Sequence, residues 1–162
     1  MQKLQSNEKK IYARDISPAS EAHFVNDNWK YKSALSLPMM RYAVENRPSS
    51  CVAVKDKVQE EEEEELASFL ITRQDGAMSC LYTLEKYRGK GYASVAARDL
   101  ALKIIEKNQN SNLDADMKNY MVPYCYIVNG NDASEKCFSK LGFEKLDTEI
   151  SWFLIAPAET TK

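Results

Sequence analysis

The sequence of 162 residues has no long hydrophobic run and no excess of positive charge. Its longest apolar stretch, residues 150–156, is far below the roughly 20 residues needed to span a bilayer, so no membrane span is predicted. The net charge of -2 and an isoelectric point near 5.6 give no basic surface that would bind nucleic acid or anionic lipid. We therefore expect no nucleic-acid or membrane partner and look for a ligand site of local character.

Cysteine and histidine are scarce as well. The four cysteines, Cys51, Cys80, Cys125 and Cys137, are widely spaced and form no CxxC pair, so no metal site is predicted and buried free thiols are the simplest interpretation. The N-terminal residues are polar and lack the apolar core of a secretion signal, which favours the cytoplasm. The length and the 44% hydrophobic content predict one domain over residues 1–162, with a core over about 10–156.

Hydrophobic periodicity predicts the element order β-α-α-β-β-β-α-β-α-β, which is a mixed sheet covered by helices. The predicted helices cover residues 19–29, 39–45, 91–107 and 132–141, and the predicted strands cover residues 11–16, 50–55, 66–72, 77–84, 121–128 and 144–155. Residues 60–65 are six consecutive glutamates. Because like charges repel and cannot be buried, residues 59–65 are predicted to be a solvated hairpin tip, with a docking site for a basic partner as the alternative.

A short glycine turn stands out at residues 87–94, YRGKGYAS. It lies between a predicted strand and a predicted helix, and the amides of a first helical turn have no internal acceptor. The partly positive helix end favours an anion there. Gly89 and Gly91 allow positive φ and close approach of the backbone, and Arg88 and Lys90 add charge. The pattern therefore predicts a diphosphate site.

Three diphosphate motifs compete for this turn. The GxxxxGK[ST] pattern of a nucleotide P-loop is absent, and the dinucleotide pattern GxGxx[GA] fails because position 94 is Ser94. The pattern R/Q-x-x-G-x-G/A is met by Arg88, Gly91 and Ala93. This resembles the motif with which the GCN5-related N-acetyltransferase superfamily binds the pyrophosphate of coenzyme A.

A second segment, residues 128–143 (VNGNDASEKCFSKLGF), is similar to another hallmark of that superfamily, V-x-x-N-x-x-A-x-x-x-Y-x-K-x-G-F. Ser134 replaces the alanine of the motif and Phe138 replaces its tyrosine. In its own right the segment predicts a helix capped by Asp132 with Glu135 in a capping box, ending at Gly142. The resemblance to the superfamily covers residues 10–156.

A narrower resemblance points to the glycine N-acyltransferase-like group. The resemblance rests on four segments: VNDNWKY at residues 25–31, PSSCVAV at 48–54, GAM at 76–78 and LEKYR at 84–88. This resemblance implies an acyl transfer from coenzyme A to the amine of a small acceptor such as glycine, and it admits a mitochondrial location. We expect a monomer or weak homodimer, and a chain shorter than those enzymes, as if it lacked their leading domain.

The resemblance also implies an architecture and a binding site. The implied fold is a mixed, mostly antiparallel sheet of six to seven strands with helices on both faces and a V-shaped splay between strands 4 and 5. The implied cosubstrate is acetyl-CoA or another acyl-CoA, without a metal. The residues implied to bind it are Leu81, Tyr82, Thr83, Arg88, Gly89, Lys90, Gly91, Tyr92, Ala93, Ser94, Asn131, Ser134 and Phe138.

The catalytic positions depart from the family pattern. The usual general base corresponds to Ala77 and the usual general acid to Phe138, and neither side chain can exchange a proton. Tyr126 on the facing strand is the candidate we put first. Other groups that could act through water are Asp75, Glu85 and His23. An active transferase, a non-catalytic acyl-CoA sensor and a scaffold protein therefore remain as three hypotheses.

Overall fold

The computed structural model describes residues 9–58, 61–112 and 122–146. Within these ranges the chain forms four β-strands, four α-helices and one short 3-10 helix. The strands are β1 (Lys10–Arg14), β2 (Ser49–Val58), β3 (Glu61–Thr72) and β4 (Met78–Thr83), and the helices are α1 (Pro18–Asp27), α2 (Ser36–Asn46), α3 (Tyr92–Gln109) and α4 (Asp132–Lys140). The 3-10 helix Glu85–Tyr87 follows β4.

The four strands form an antiparallel sheet in the order β1-β2-β3-β4. Successive residues of a strand point to opposite faces of a sheet. Cys51 and Phe69 accordingly lie on one face, whereas Val52 and Leu70 lie on the other. These side chains are almost fully buried, so both faces of the sheet are covered.

Helices α1 and α2 cover the first face. Their buried residues, Val25, Met40, Ala43 and Val44, join Cys51, Leu66, Phe69 and Ile71 of the sheet and Ile16 in one hydrophobic cluster. Phe24, Trp29, Cys80 and Tyr82 pack at its margin. We call this set the α1–α2 cluster.

Helices α3 and α4 cover the second face. Ala96, Ala97, Leu100 and Ile104 of α3 and Phe138 of α4 pack with Val52, Leu70 and Met78. The small alanines of α3 let its backbone lie close to the sheet, as the helical spacing of these residues predicts. The expected mixed α/β architecture with helices on both faces is thus confirmed.

The predicted strand over residues 121–128 is not formed over the described residues 122–128, which make only one isolated parallel bridge, between Met78 and Cys125. The amide of Met78 donates to the carbonyl of Tyr124 at 2.8 Å. The described ranges contain four strands and this bridge. The predicted total of six to seven strands therefore stays a prediction. The predicted final strand, residues 144–155, lies mostly outside those ranges.

The prediction of a hairpin tip over residues 59–65 is wrong for its last five glutamates, which belong to β3 and pair with β2. At Glu64 and Glu65, whose side chains the structure describes, cations from elements far along the chain compensate the charge. Glu64 accepts a hydrogen bond from Nε of Arg14 at 3.0 Å. Glu65 forms an ion pair with Nζ of Lys86 at 2.6 Å. Like-charge repulsion between these two glutamates is therefore offset by partners that the local sequence does not reveal.

The cap of α4 is Asn131, one residue before the predicted Asp132. The side-chain oxygen of Asn131 accepts the amide of Ser134 at 3.3 Å. Glu135 does not complete a capping box but pairs with Lys145 at 3.3 Å. Asparagine and aspartate are both common at the N-cap position, so the capping-box pattern predicted the start of α4 to within one residue.

None of the helices in the described part of the chain has both the length and the apolar character that crossing a membrane requires.

Candidate functional site

The glycine turn connects the 3-10 helix to α3 with two residues in the left-handed region, Gly89 at φ 74° and Gly91 at φ 80°. Gly91 is the N-cap of α3, and it has no side chain that could fold back onto the helix amides. A Cβ atom at either glycine would meet no other atom within 4 Å. The turn is therefore open on the side where a ligand would approach.

The backbone amides of this turn differ in whether they have a hydrogen-bond acceptor. The amides of Ser94 and Val95 donate to the carbonyl of Gly91, at 3.0 and 3.2 Å. Those of the five residues before them, 89–93, find no acceptor within the described residues. Within the described residues, five consecutive unpaired donors thus stand at the N-terminus of an 18-residue helix, an arrangement that favours an anion.

The two cations of the turn have no carboxylate partner in the ranges that the structure describes. Nζ of Lys90 lies 5.2 Å from the ring centroid of Tyr87. Nε of Arg88 donates to the carbonyl of Thr83 at 3.2 Å, and its guanidinium lies 5.9 Å from the ring centroid of Tyr82. Their positive charge adds to that of the helix end.

Strand β4 lies beside this turn at the edge of the described four-stranded sheet. Leu84 donates its amide to Ala67 of β3 at 2.9 Å. Because main-chain groups alternate along an antiparallel ladder, the amides and carbonyls of Leu81 and Thr83 point away from β3. They form a polar strand edge that leads toward the glycine turn.

A bulge interrupts β4 in front of this edge. The register with β3 shifts between Phe69 and Ile71, so that Cys80 and Leu81 stand opposite the single residue Leu70. Cys80 has φ 59°, the only non-glycine residue with positive φ among those described. Such a conformation costs about 1–3 kcal/mol and persists only where surrounding contacts enforce it. The sequence carries no glycine or asparagine at this position that would signal it.

Helix α4 brings the second sequence motif to the start of α3. The hydroxyl of Ser94 and the thiol of Cys137 are 3.5 Å apart. Ser134 is half-buried at the start of α4, and its amide is held by Asn131. The two segments that the sequence singled out, forty residues apart, therefore meet in space.

A sequence profile of the FR47-like protein family matches residues 58–153, which is more than half of the chain. The chain belongs to the FR47-like protein family. This family is associated with the GCN5-related N-acetyltransferases, which generally use an acyl-coenzyme A. No curated protein matches the sequence.

Among solved structures, the X-ray structure of a Drosophila protein has a similar fold, with a TM-score of 0.56 and 18% sequence identity. The match covers 83% of this FR47-like protein and 39% of the Drosophila chain. The present chain thus spans about two fifths of that longer protein.

The two residues that the resemblance aligns with the usual base and acid, Ala77 and Phe138, lie in the interior. Ala77 is fully buried, and its amide donates to the carboxylate of Asp75 at 3.2 Å. Phe138 is 4% exposed, and its ring packs against Phe143 with centroids 5.1 Å apart. Neither supplies an acid or a base, and the contact of Phe138 with a cofactor stays a prediction.

Tyr126, the first catalytic candidate, is 46% exposed on the segment that follows the bridge to β4. Its ring meets that of Tyr124 edge to face, with centroids 5.7 Å apart. The hydroxyl of Tyr124 donates to the carbonyl of Asp75. Burial, followed by the nearby Asp75 carboxylate, raises the pKa of Tyr124 above its ordinary value. Tyr124 is therefore held as a neutral donor, and Tyr126 is the more accessible phenol.

The other candidate groups are dispersed. Asp75 lies 3.6 Å from the guanidinium of Arg73 in the β3–β4 loop. Glu85 is exposed at the start of the 3-10 helix. His23 is exposed on α1, with Nε2 2.7 Å from the guanidinium of Arg41. In the described ranges no group of three or more His, Cys, Asp or Glu side chains is arranged to hold a metal ion.

Proposed function

We propose that this protein is an acyl-coenzyme A-dependent N-acyltransferase of the glycine N-acyltransferase-like group. It would transfer an acetyl or other acyl group to the amine of a small acceptor such as an amino acid. The observation that carries the proposal is the row of five unpaired amides, residues 89–93, next to the polar edge of β4. Family membership supports the same conclusion.

The glycine turn fits a diphosphate. Backbone donors aimed from a helix start bind phosphate oxygens without requiring a side chain, and the two glycines leave room for them. Arg88 and Lys90 add two charges that no described carboxylate neutralises. Ser94 is the third residue of α3 and lies close to α4.

The edge of β4 fits the pantetheine arm, which carries amides that pair with a strand in the manner of an added strand. We infer that β4 and residues 122–128 diverge beyond the Met78–Cys125 bridge and leave a slot between them, since that bridge is isolated. Binding of the arm at the carbonyl of Thr83 would displace Nε of Arg88. The guanidinium would then be free to move to the diphosphate.

The transfer itself needs the acceptor as a neutral amine. Its nitrogen forms a bond to the thioester carbonyl carbon, the carbon–sulfur bond breaks, and the proton that the nitrogen loses ends on the released thiol. An amide of β4 near the bulge at Cys80 would hydrogen-bond the carbonyl oxygen as charge develops, an effect often worth about 3 kcal/mol for each donor. Tyr126 is the residue that we propose for proton transfer.

Calorimetry with coenzyme A and a colorimetric thiol assay test the proposal. We expect micromolar or tighter binding of coenzyme A, and release of free thiol when acetyl-CoA and glycine are supplied together. Tyr126→Phe should lower kcat with little change in KM for acetyl-CoA, and Tyr42→Phe, an exposed tyrosine of α2, serves as the control. Absence of coenzyme A binding by the wild-type protein would refute the proposal.

A second function, a non-catalytic acyl-CoA sensor, is favoured by one specific observation. The positions of the usual base and acid hold Ala77 and Phe138, and both side chains are buried. The sensor hypothesis predicts tight binding of acetyl-CoA and no thiol release across a panel of amines. The same two assays therefore distinguish the two functions.

A further inference from the structure

Tyr87 is the buried first residue of the glycine turn. It is 9% exposed and packs with Val54 and Ala67 of the sheet. Its hydroxyl donates to the carboxylate of Glu65 at 2.8 Å. Burial, followed by this hydrogen bond, raises the pKa of Tyr87 above its ordinary value, so the hydroxyl keeps its proton at neutral pH.

The ring of Tyr87 contacts residues of the turn itself. Its centroid is 5.9 Å from that of Tyr92, the first residue of α3. Nζ of Lys90 lies over the same ring at 5.2 Å. One aromatic side chain therefore supports two of the five residues whose amides are unpaired.

Glu65, the partner of the Tyr87 hydroxyl, lies on β3, an inner strand of the described sheet. It is the last glutamate of the acidic run, and it also pairs with Lys86 at 2.6 Å. Burial acts to raise the pKa of Glu65, but hydrogen bonds from Lys86 and Tyr87 outweigh it and lower the pKa, so the carboxylate is charged at neutral pH. Its neighbour Glu64 engages Arg14 instead, at a site away from the glycine turn.

We propose that Glu65 is a positioning residue for the cosubstrate: through the hydroxyl of Tyr87 it fixes the two residues that flank Gly91 in the geometry that binds diphosphate. This inference rests on the proposed function. It gives a role to one glutamate of a run that the sequence alone predicts to be a solvated hairpin tip or a docking site for a basic partner.

Whether removal of Glu65 weakens or tightens the binding of coenzyme A distinguishes a positioning role from a purely electrostatic one. Glu65 is an anion near a site for an anion, so through charge alone its removal would tighten the binding of coenzyme A. A positioning role has the opposite consequence, because loss of the hydrogen bond lets Tyr87, and with it Lys90 and Tyr92, leave the required arrangement. Tyr87→Phe removes the hydrogen bond with no change in charge.

The experiment measures the dissociation constant of coenzyme A by calorimetry for the wild type, Tyr87→Phe, Glu65→Ala, Glu65→Gln and the double variant Glu65→Ala/Tyr87→Phe. We expect each of the first two single variants to bind about tenfold more weakly, which is about 1.4 kcal/mol. The double variant should bind no more weakly than Glu65→Ala, since both changes remove the same interaction. Glu65→Gln keeps an acceptor oxygen and should stay within about threefold of wild type.

Two controls exclude a general loosening of the fold. Glu64→Ala removes an equal charge from the adjacent position and should lower the melting temperature without changing the affinity for coenzyme A. Pantetheine, which lacks the diphosphate, should bind Tyr87→Phe and wild type equally in an NMR titration. Equal weakening for pantetheine, or unchanged coenzyme A affinity in Tyr87→Phe, overturns the inference. Failure of wild type to bind coenzyme A overturns the proposed function instead.

Discussion

Replacing Gly91 by glutamate tests the diphosphate site most directly. Gly91 has φ 80°, and a Cβ atom there would meet nothing within 4 Å, so the new side chain fits without a clash. The left-handed backbone costs a residue with a Cβ atom roughly 1–2 kcal/mol. In a domain of this size, 1 kcal/mol lowers the melting temperature by about 2–4 °C. The variant is therefore expected to fold.

The effect on the ligand should be larger than the effect on the fold. At an effective dielectric constant of about 20, two like charges about 4 Å apart repel by roughly 4 kcal/mol. Each 1.4 kcal/mol is about a factor of ten in a dissociation constant. Since a flexible glutamate can turn partly away from a diphosphate, we expect coenzyme A to bind at least about a hundredfold more weakly, as measured by calorimetry.

Gly142→Glu is a matched control for this variant. Gly142 has φ 88° with nothing within 4 Å of a built Cβ atom, so the substitution imposes the same strain and the same charge. It lies just beyond the end of α4 that is distant from Asn131. We expect a similar loss of stability with unchanged affinity. Equal affinity for coenzyme A in wild type and Gly91→Glu would refute the placement of the diphosphate at this turn.

Three further predictions concern the scaffold. Nζ of Lys103 lies 2.7 Å from both Asp15 and Asp99, so Lys103→Met should lower the free energy of unfolding by about 1 kcal/mol in urea titration, and an unchanged midpoint would contradict this. Hydrogen bonds from Tyr12 and Arg14 lower the pKa of Glu64 below its ordinary value of 4.5, so the stability that Glu64 contributes is present above pH 4.5 and is lost as the pH falls through the lowered pKa. The melting temperature of Glu64→Gln should therefore depend less on acid pH than that of the wild type. Identical pH profiles for the two proteins would refute this prediction. Burial raises the pKa of Cys51 to about 12, so a thiol reagent at pH 8 should modify Cys51 only after unfolding, and rapid labelling of the folded protein would contradict its burial.

Local signals in the sequence were sufficient for much of the site. Gly89 and Gly91 have the positive φ that their place between a strand and a helix predicts, and Gly142 follows the end of α4 in the same way. These conformations depend on residues next to one another in the chain. The glycine turn and the second motif could therefore be located from the sequence, although how they bind a ligand is still a prediction.

Features that depend on distant residues were not predictable in this way. Glu64 pairs with Arg14, 50 positions away, and Glu65 accepts a hydrogen bond from Tyr87, 22 positions away. A count of like charges along the run cannot include such partners. The bulge in β4 is similar, because Cys80 has no intrinsic preference for positive φ and its side chain packs against a cluster built from distant parts of the chain.

The left-handed backbone of Cys80 links the packing on one face of the sheet to the edge of β4. Its side chain packs at the margin of the α1–α2 cluster, together with Trp29 and Tyr82, while its backbone sets the direction of the free edge of β4. One residue therefore joins the margin of the α1–α2 cluster to the strand edge at which we propose that the acyl-CoA binds.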